Sequence, residues 1–356
     1  MIAQLPVRKA ILDRRTYETP AEGREGKVRL DFNENTAGCS QAVTRALRTI
    51  SVKQLAMYPE YVRSSTRLAR YFGVHREALL LTNGGDDALR VFFDTFVDPG
   101  CAILICEPTF PMYRYYAEIA GARVQALRYD KEMKFPLSGI IAELESEPRV
   151  LFIANPNNPT GTLLQVETIE RILRAANRTA VVIDEAYAEF SGVTLIPLIG
   201  KYPNLFITRT FSKAAGLAAL RLGTVIARAD SLSYLRRAMP PFPVNLAALV
   251  AAEAAVRDRG AVRRHVREIR RTRAWLESQL HDLGVNTFPS AGNFLLADFG
   301  TGGVPLFQQL EREGILLRER SDLGSGFARI TVGTQAEMRL LLKKIRRLGF
   351  TANMRR

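Results

Sequence analysis

The 356-residue chain is poor in cysteine and histidine, with three of each. A small, odd number of cysteines does not support a disulfide framework, so we expect reduced thiols and a cytoplasmic protein. The cysteines and histidines do not have the spacing of a metal site, and we expect none. The sequence also lacks an apolar run of about 18 residues, so we expect no membrane-spanning helix.

Acidic residues are outnumbered, with 36 Asp and Glu against 50 Lys and Arg, and the formal net charge is +14. Such a balance fits nucleic acid, anionic lipid or phosphorylated ligands as partners. The densest basic run holds eight arginines between positions 257 and 273. Apolar residues at helical spacing within this run predict an amphipathic helix with a solvated basic face. We therefore expect no specific nucleic-acid partner, and a basic nucleic-acid-binding protein is the alternative from another class.

Short apolar runs alternate with helix-like segments through the middle of the chain. The predicted strands cover residues 79–82, 102–106, 123–127, 150–153, 180–183, 205–209 and 222–227. Amphipathic segments over residues 87–97, 113–120 and 167–176 lie between them. This alternation predicts an α/β fold with a mostly parallel central sheet flanked by helices.

The pattern changes after the proline-rich segment at residues 239–243. A long helical pattern over 245–283 precedes short strands at 293–298, 315–318 and 327–332 and a final helix from Gln335. We predict three parts: an irregular N-terminal arm over 1–30, a large domain over 31–244, and a smaller α+β domain over 245–356.

Two polar residues follow apolar runs. Asp184 ends the run over 180–183, which places it at the carboxyl edge of a predicted parallel strand, where α/β sheets bind ligands. Lys213 follows the strand predicted over 205–209, and a lysine amine of lowered pKa is a nucleophile that forms Schiff bases with aldehydes. Taken alone, Asp184 is equally typical of a helix cap, and Lys213 is more typical of a solvated surface.

Two loops rich in glycine, proline and asparagine also follow predicted strands. Residues 155–161 read Asn-Pro-Asn-Asn-Pro-Thr-Gly, in which two prolines fix φ and Asn157 can present its amide to a ligand. Residues 83–87 read Asn-Gly-Gly-Asp-Asp, and glycines at the start of a helix let backbone N–H groups approach a phosphate. An ordinary loop or turn is the alternative for each segment alone.

The order of these segments is more informative than any one of them. The glycine-rich turn is followed by an aromatic residue (Phe110), the 155–161 loop, Asp-Glu-Ala-Tyr at 184–187, Ser-Lys at 212–213 and Arg221. From about residue 30 to residue 333, the chain resembles the fold-type I pyridoxal-phosphate aminotransferases. Segments 30–35, 57–59, 184–190 and 329–333 are most similar to the histidinol-phosphate aminotransferase family. That fold joins a large domain with a mostly parallel sheet to a smaller α+β C-terminal domain.

The resemblance implies pyridoxal 5′-phosphate (PLP) as the cofactor. Lys213 matches the lysine that forms the Schiff base, and Asp184 matches the carboxylate that pairs with the ring nitrogen. Tyr187 and Asn157 match hydrogen-bond partners of the ring's phenolic oxygen, and Phe110 matches the aromatic residue stacked on the ring. The positions that match the family's phosphate site are Gly85, Asp86, Ser212 and Arg221. By this resemblance, the catalytic groups are Lys213, Asp184 and Tyr187.

Substrate and partner contacts follow from the same resemblance. Arg329 matches the arginine that holds the substrate carboxylate, and Arg318 matches a second anion-binding arginine. Asn33 and Tyr17 are further expected substrate contacts. Tyr58 matches a tyrosine that reaches the cofactor phosphate from the neighbouring subunit of a homodimer.

The reaction that the resemblance implies is a ping-pong transamination in histidine biosynthesis. L-Histidinol phosphate and 2-oxoglutarate would give imidazole-acetol phosphate and L-glutamate. An aromatic amino-acid aminotransferase and a phosphothreonine-type decarboxylase on the same scaffold are the alternatives. The sequence departs from the family pattern at Phe110, where tyrosine is usual, at Ala219, where glycine is common, and in its Gly-Gly-Asp-Asp turn. None of these departures removes a catalytic group.

Overall fold

Two β-sheets covered by helices organise the chain, for which a computed structural model describes residues 5–12, 14, 16 and 22–350. The strands are β1 (Val28–Leu30), β2 (Leu79–Thr82), β3 (Ala102–Glu107), β4 (Arg123–Arg128), β5 (Val150–Ala154), β6 (Ala180–Asp184), β7 (Leu205–Thr210), β8 (Gly223–Ala227), β9 (Asn286–Phe288), β10 (Phe294–Asp298), β11 (Ile315–Glu319) and β12 (Phe327–Thr331).

The helices connect and cover these strands. They are α1 (Lys9–Leu12), α2 (Gln41–Leu47), α3 (Val52–Leu55), α4 (Val62–Phe72), α5 (Gly84–Phe96), α6 (Met112–Ala120), α7 (Leu137–Glu143), α8 (Val166–Ala175), α9 (Ala188–Ser191), α10 (Ala229–Arg237), α11 (Leu246–Arg257), α12 (Arg259–His281), α13 (Gly303–Arg312) and α14 (Gln335–Arg347). Among the described residues, no helix is both long and apolar enough to cross a bilayer.

The large sheet has the strand order β2-β8-β7-β6-β5-β3-β4. Strand β8 runs antiparallel to both of its neighbours, and the other pairs are parallel. Alternate residues enter different cores: Leu151 and Ile153 of β5 pack on one face, and Val150 and Phe152 pack on the other. Strands buried on both faces are continuous apolar runs, and the sequence located all seven strands, including the partly exposed edge strand β4. The predicted α/β fold is confirmed.

The small sheet has the order β1-β11-β12-β10-β9. Strand β1 pairs in parallel with β11, Val28 opposite Ile315, so the expectation of irregular structure up to residue 30 is wrong for these three residues. The sequence analysis also missed β9, which has only three residues. The division of the chain at residue 244 stays a prediction.

The structure also differs from the prediction over residues 245–283, where the single long helix expected from the sequence is two helices, α11 and α12. Asp258 ends α11, and its side chain accepts a hydrogen bond from the backbone N–H of Ala261 in the first turn of α12. A carboxylate that caps a helix start satisfies a backbone donor that has no partner within the helix. Both segments are helical by periodicity, and only this cap separates them.

Candidate functional site

The predicted site residues lie at the carboxyl edge of the large sheet. Asp184 is the last residue of β6, Asn157 follows β5, and Lys213 follows β7. Strands β2 and β7 are both antiparallel to β8, so they run in the same direction and β2 also ends at this edge. Loops at this edge of an α/β sheet come together around a ligand. The sheet therefore brings together residues that lie far apart in the sequence.

The amine of Lys213 lies inside the protein. Nζ donates a hydrogen bond to the carbonyl oxygen of Phe32 at 2.9 Å and lies 5.9 Å from the centre of the Tyr187 ring. Burial, reinforced by the positive charge of Arg329, lowers the pKa of Lys213 to about 8. A pKa near 8 leaves a useful fraction of neutral, nucleophilic amine at neutral pH. The alternative of an ordinary solvated lysine is therefore excluded.

Asp184 is held by three donors. Its Oδ1 accepts from Thr208 Oγ1 and from the backbone N–H of Ala186, both at 3.1 Å, and its Oδ2 accepts from the Tyr113 hydroxyl at 3.0 Å. Burial raises the pKa of Asp184, although each of these hydrogen bonds lowers it. The bond to Ala186 N–H is a local turn contact rather than a helix cap, since the N-cap residue of the helix that follows is Tyr187. Asp184 is also a buried carboxylate at the sheet edge.

Tyr113 is a residue of this site that the sequence analysis missed. It is fully buried in α6 and lies 71 residues from Asp184 in the sequence. An apolar face at helical spacing contains Tyr113, so the sequence predicts a core residue. Only the packing of α6 against the sheet brings its hydroxyl to the carboxylate.

Tyr113→Phe tests this contact. We expect the apoprotein to lose about 1–3 kcal/mol of unfolding free energy at neutral pH, because a buried carboxylate oxygen loses its donor. Losing that hydrogen bond raises the pKa of Asp184 further. A carboxyl group with a raised native-state pKa loses stability as pH rises through its titration range, so the deficit of the variant should be larger at pH 8 than at pH 4.

Thermal or urea unfolding at the two pH values measures this deficit. Tyr129→Phe is the matched control, because Tyr129 is also buried and its pKa is raised by burial and by Cys106 rather than by Asp184. An equal, pH-independent loss of unfolding free energy in both variants would exclude coupling between Tyr113 and the charge of Asp184.

Tyr187 and Asn157 are the two predicted partners of the ring's phenolic oxygen, and they differ in the hydrogen-bond donors that remain free. The Tyr187 hydroxyl accepts a hydrogen bond from Asn33 Nδ2 at 2.9 Å, which leaves its own proton to donate. The Asn157 amide nitrogen donates to the Pro108 carbonyl and to Thr160 Oγ1, each at 2.9 Å. Both amide hydrogens of Asn157 are therefore in use, and a bond from it to a ligand requires one of these contacts to be replaced.

We call the first turn of α5 with Ser212 and Arg221 the phosphate cup, after the role that the sequence predicts for these residues. Gly84, at φ +84°, leaves the room that the Arg221 guanidinium occupies: a Cβ there would lie 2.6 Å from Nη2. Arg221 also pairs with Asp86 at 2.7 Å. The free backbone N–H groups of a helix start, with an arginine and a hydroxyl, are the donors that a phosphate requires. Gly85 lies in the same turn, and a Cβ there would meet nothing within 4 Å.

These groups fit PLP. The Lys213 amine, with its lowered pKa, suits an aldehyde, the buried Asp184 carboxylate suits a ring nitrogen, and the phosphate cup suits a phosphate ester. Phe110 offers an aromatic face beside them and meets the Tyr113 ring edge-on at 5.8 Å between centroids. Among the described residues, no group of three His, Cys, Asp or Glu side chains could hold a metal ion.

Arg329 is buried on β12 of the small sheet. Its guanidinium donates to Asn158 Oδ1 and to the Asp31 carbonyl, while Nε is buried without a partner in the described structure. Burial, with the charges of Arg320 and Arg318, lowers the pKa of Arg329 to about 10. Arg318 lies opposite Arg329 in the sheet register. Arg318 and Arg329 are therefore the candidate anion-binding groups of the small sheet.

The structure brings Asn33 into the site and leaves Tyr58 outside it. Asn33 is buried, and its backbone N–H donates to Thr331 Oγ1 at 2.9 Å. Tyr58 is 77% exposed and stacks on Phe242 at 4.2 Å. Tyr17 lies outside the described residues.

Comparison with known proteins agrees with this geometry. The aminotransferase class I and II family model matches residues 25–345. The chain belongs to this aminotransferase family. The resemblance found in the sequence is thereby confirmed, and so is the fold-type I architecture.

Several relatives of this aminotransferase are named histidinol-phosphate aminotransferase. Histidinol-phosphate aminotransferase 1 of Carboxydothermus hydrogenoformans is 36% identical over 323 residues, covering 90% of this chain and 92% of that protein. The Bacillus subtilis histidinol-phosphate aminotransferase is 34% identical and covers 88% and 89% of the two chains. The Sinorhizobium meliloti histidinol-phosphate aminotransferase, solved with pyridoxal-5′-phosphate, superposes with a TM-score of 0.89 at 25% identity, covering 98% and 99%.

Proposed function

We propose that this PLP-dependent aminotransferase moves the amino group of L-histidinol phosphate to 2-oxoglutarate, yielding imidazole-acetol phosphate and L-glutamate. The observation that carries the chemistry is the Lys213 amine, with a pKa of about 8, at the same sheet edge as the buried Asp184 and the phosphate cup. The names of the relatives supply the substrate. The arginines around Arg329 are consistent with a doubly charged phosphate ester.

The residues of the site divide the work of transamination. PLP, when bound, supplies an electron-withdrawing ring conjugated to the reacting carbon. The phosphate cup fixes its position, and Asp184 holds a proton at the ring nitrogen, with Thr208 and Tyr113 orienting the carboxylate. The neutral amine of Lys213 would bond to the cofactor aldehyde with loss of water. Once the substrate amine has displaced it, the freed Lys213 amine would act as the general base that takes the proton from the substrate Cα.

Kinetics with alternative amino donors test the substrate assignment. With 2-oxoglutarate as acceptor, we expect kcat/KM for histidinol phosphate to exceed the values for phenylalanine and tyrosine. A reversed order would make the protein an aromatic amino-acid aminotransferase. Release of carbon dioxide from O-phosphothreonine would instead identify a decarboxylase. That activity is the one named for the Porphyromonas gingivalis L-threonine-O-3-phosphate decarboxylase. Its structure superposes with a TM-score of 0.79 at 26% identity, and the match covers 90% of this chain and 99% of that one.

Arg329 is proposed to anchor the anionic group in both half-reactions. Arg329→Ala should raise KM for glutamate and for histidinol phosphate about 10- to 100-fold, because charge-assisted bonds are lost. Arg329→Lys should recover little, since an ammonium cannot replace a planar fork. Arg228→Ala is the control, because Arg228 is a surface arginine outside the proposed site and is paired with Asp230 at 2.5 Å. An unchanged glutamate KM in Arg329→Ala would contradict the anchoring role.

We further propose that the protein is a C₂ homodimer in which Tyr58 acts across the interface. Tyr58 lies in an exposed apolar segment with Val52, Leu55, Met57 and Val62, all more than 60% exposed. Exposed apolar patches of this kind are typical of protein interfaces. In a two-fold interface, the same segment of both subunits lies in the contact. By the resemblance, each Tyr58 hydroxyl would then reach the partner's phosphate cup.

Mixed dimers test the placement of Tyr58. Tyr58→Phe should weaken retention of PLP, and Lys213→Ala should be inactive. If Tyr58 acts in trans, a heterodimer with one change on each chain carries both defects in one site, and its other site is wild-type. We then expect about half of the normal activity with normal PLP affinity. If the working site instead shows weakened PLP binding, Tyr58 acts within its own subunit.

A cytoplasmic location is also proposed. The three cysteines, Cys39, Cys101 and Cys106, are free thiols. Unpaired cysteines are typical of reducing compartments.

A further inference from the structure

A basic cavity lies apart from the proposed catalytic site. It has a volume of about 580 Å³ and lies between the end of α4, the α9 segment and the first half of α12. None of the residues proposed to bind PLP or substrate lines it. A volume of this size is typical of small-molecule sites. We call it the arginine cavity, after Arg259, Arg263, Arg267 and Arg270 of α12 in its wall.

The arginines of this cavity repel one another. Arg259, Arg263 and Arg267 are spaced four residues apart on α12, so their side chains lie on one face, and like charges at this spacing destabilise a helix. Glu189 is the one acidic lining residue in the described part of the chain. It is paired with the buried Arg209 at 2.6 Å, and Arg209 also holds Glu185 at 2.8 Å. Two carboxylates thus face the single charge of Arg209, which leaves one negative charge against the four α12 arginines of the cavity wall.

Aromatic and aliphatic side chains line the same cavity. The Tyr71 ring lies 4.9 Å from the guanidinium carbon of Arg259, and Phe72 and Val262 are further lining residues. Guanidinium groups bind phosphates in a bidentate manner, and flat apolar walls accept a ring. The four arginines are exposed, as the predicted solvated basic face requires, and they also line this open cavity.

We propose that the arginine cavity binds a small phosphorylated molecule with a flat ring, of the class of nucleoside diphosphates. Its phosphates pair with Arg263 and Arg267, and its ring lies against Tyr71 and Phe72. This ligand compensates the charge repulsion along α12. The proposal does not depend on the substrate of the transamination.

Calorimetric titration of ADP into the PLP-loaded protein at 0.15 M salt tests the proposal, with the phosphate cup already filled. We expect one ADP per chain, and weaker binding of inorganic pyrophosphate because it lacks a ring. Arg263→Gln/Arg267→Gln should weaken ADP binding by about tenfold or more for each lost guanidinium. Arg264→Gln/Arg271→Gln is the matched control, since it removes the same charge from exposed positions of α12 that do not line the cavity. It should change ADP binding less than about twofold.

Three results would overturn the proposal. One is absence of saturable ADP binding at this salt concentration. Another is an equal loss in both double variants, which would indicate a diffuse charge effect. The last is tighter binding of a single-stranded oligonucleotide than of ADP, equally weakened in both double variants, which would indicate a nucleic-acid surface. Unchanged transamination kinetics in Arg263→Gln/Arg267→Gln would show that the variant is folded.

Discussion

Lys213→Ala will abolish transamination, with a loss in kcat of about 10⁴-fold or more, because the nucleophile and the general base are removed together. The variant should still bind PLP through the phosphate cup, since Arg221 and the start of α5 are unchanged. Steady-state rates measure the first effect and equilibrium dialysis the second. Lys201→Ala is the control: Lys201 is a surface lysine paired with Glu170 at 2.6 Å, and its loss should leave both quantities unchanged.

A second measurement on the same residue does not depend on turnover. Borohydride reduction of the PLP-loaded protein, followed by peptide mapping, should place the covalent label on Lys213. Because the pKa of Lys213 is lowered to about 8, the rate of covalent attachment of PLP to the apoprotein should rise with pH up to about 8 and then level off. Label on another lysine would refute the assignment.

Asp184→Asn will keep the fold and lower the rate of Cα proton removal by about 10³-fold, corresponding to about 4 kcal/mol of electrostatic stabilisation. An amide has the shape of the carboxylate but cannot hold a proton at the ring nitrogen. Single-turnover absorbance measurements isolate this step. A rate near that of the wild type would mean that Asp184 only stabilises the turn through Ala186.

The stability of Asp184→Asn gives an independent check. Burial raises the native pKa of Asp184, so the ionised carboxylate costs stability above its unfolded pKa, and this cost grows as pH rises. The asparagine variant has no such cost, and its stability relative to wild type should increase between pH 4 and pH 8. In this background, Tyr113→Phe should lose its pH-dependent deficit, because the two residues are coupled.

Local sequence determined the seven strands of the large sheet, and the three helices predicted between them, to within a few residues. An apolar run of four to six residues, bounded by turn residues, is typical of a strand inside a parallel sheet, where both faces are buried. The observed β2 coincides with the predicted strand over 79–82. The same reasoning failed for β1 and β9, because a three-residue strand has too few residues for a periodicity and forms only by pairing with a neighbour.

The order of motifs likewise determined the family, and it placed Lys213, Asp184 and the phosphate cup at one sheet edge. This succeeded because the carboxyl ends of parallel strands meet at that edge whatever the details of packing. The role of Tyr58 across a subunit interface stays a prediction, because only the resemblance assigns it and contacts within one chain cannot test it.

Tertiary structure alone decided the electrostatics of the site. The pKa of Lys213 depends on burial and on Arg329, which lies more than one hundred residues further along the chain. Tyr113 reaches Asp184, and Asn158 reaches Arg329, only because α6 and the small sheet pack against the same edge. Local composition determines which segments become strands and helices, since burial and backbone hydrogen bonding act over a few residues. Proton affinities are set by desolvation and by charges from other segments, so they exist only once the chain has folded.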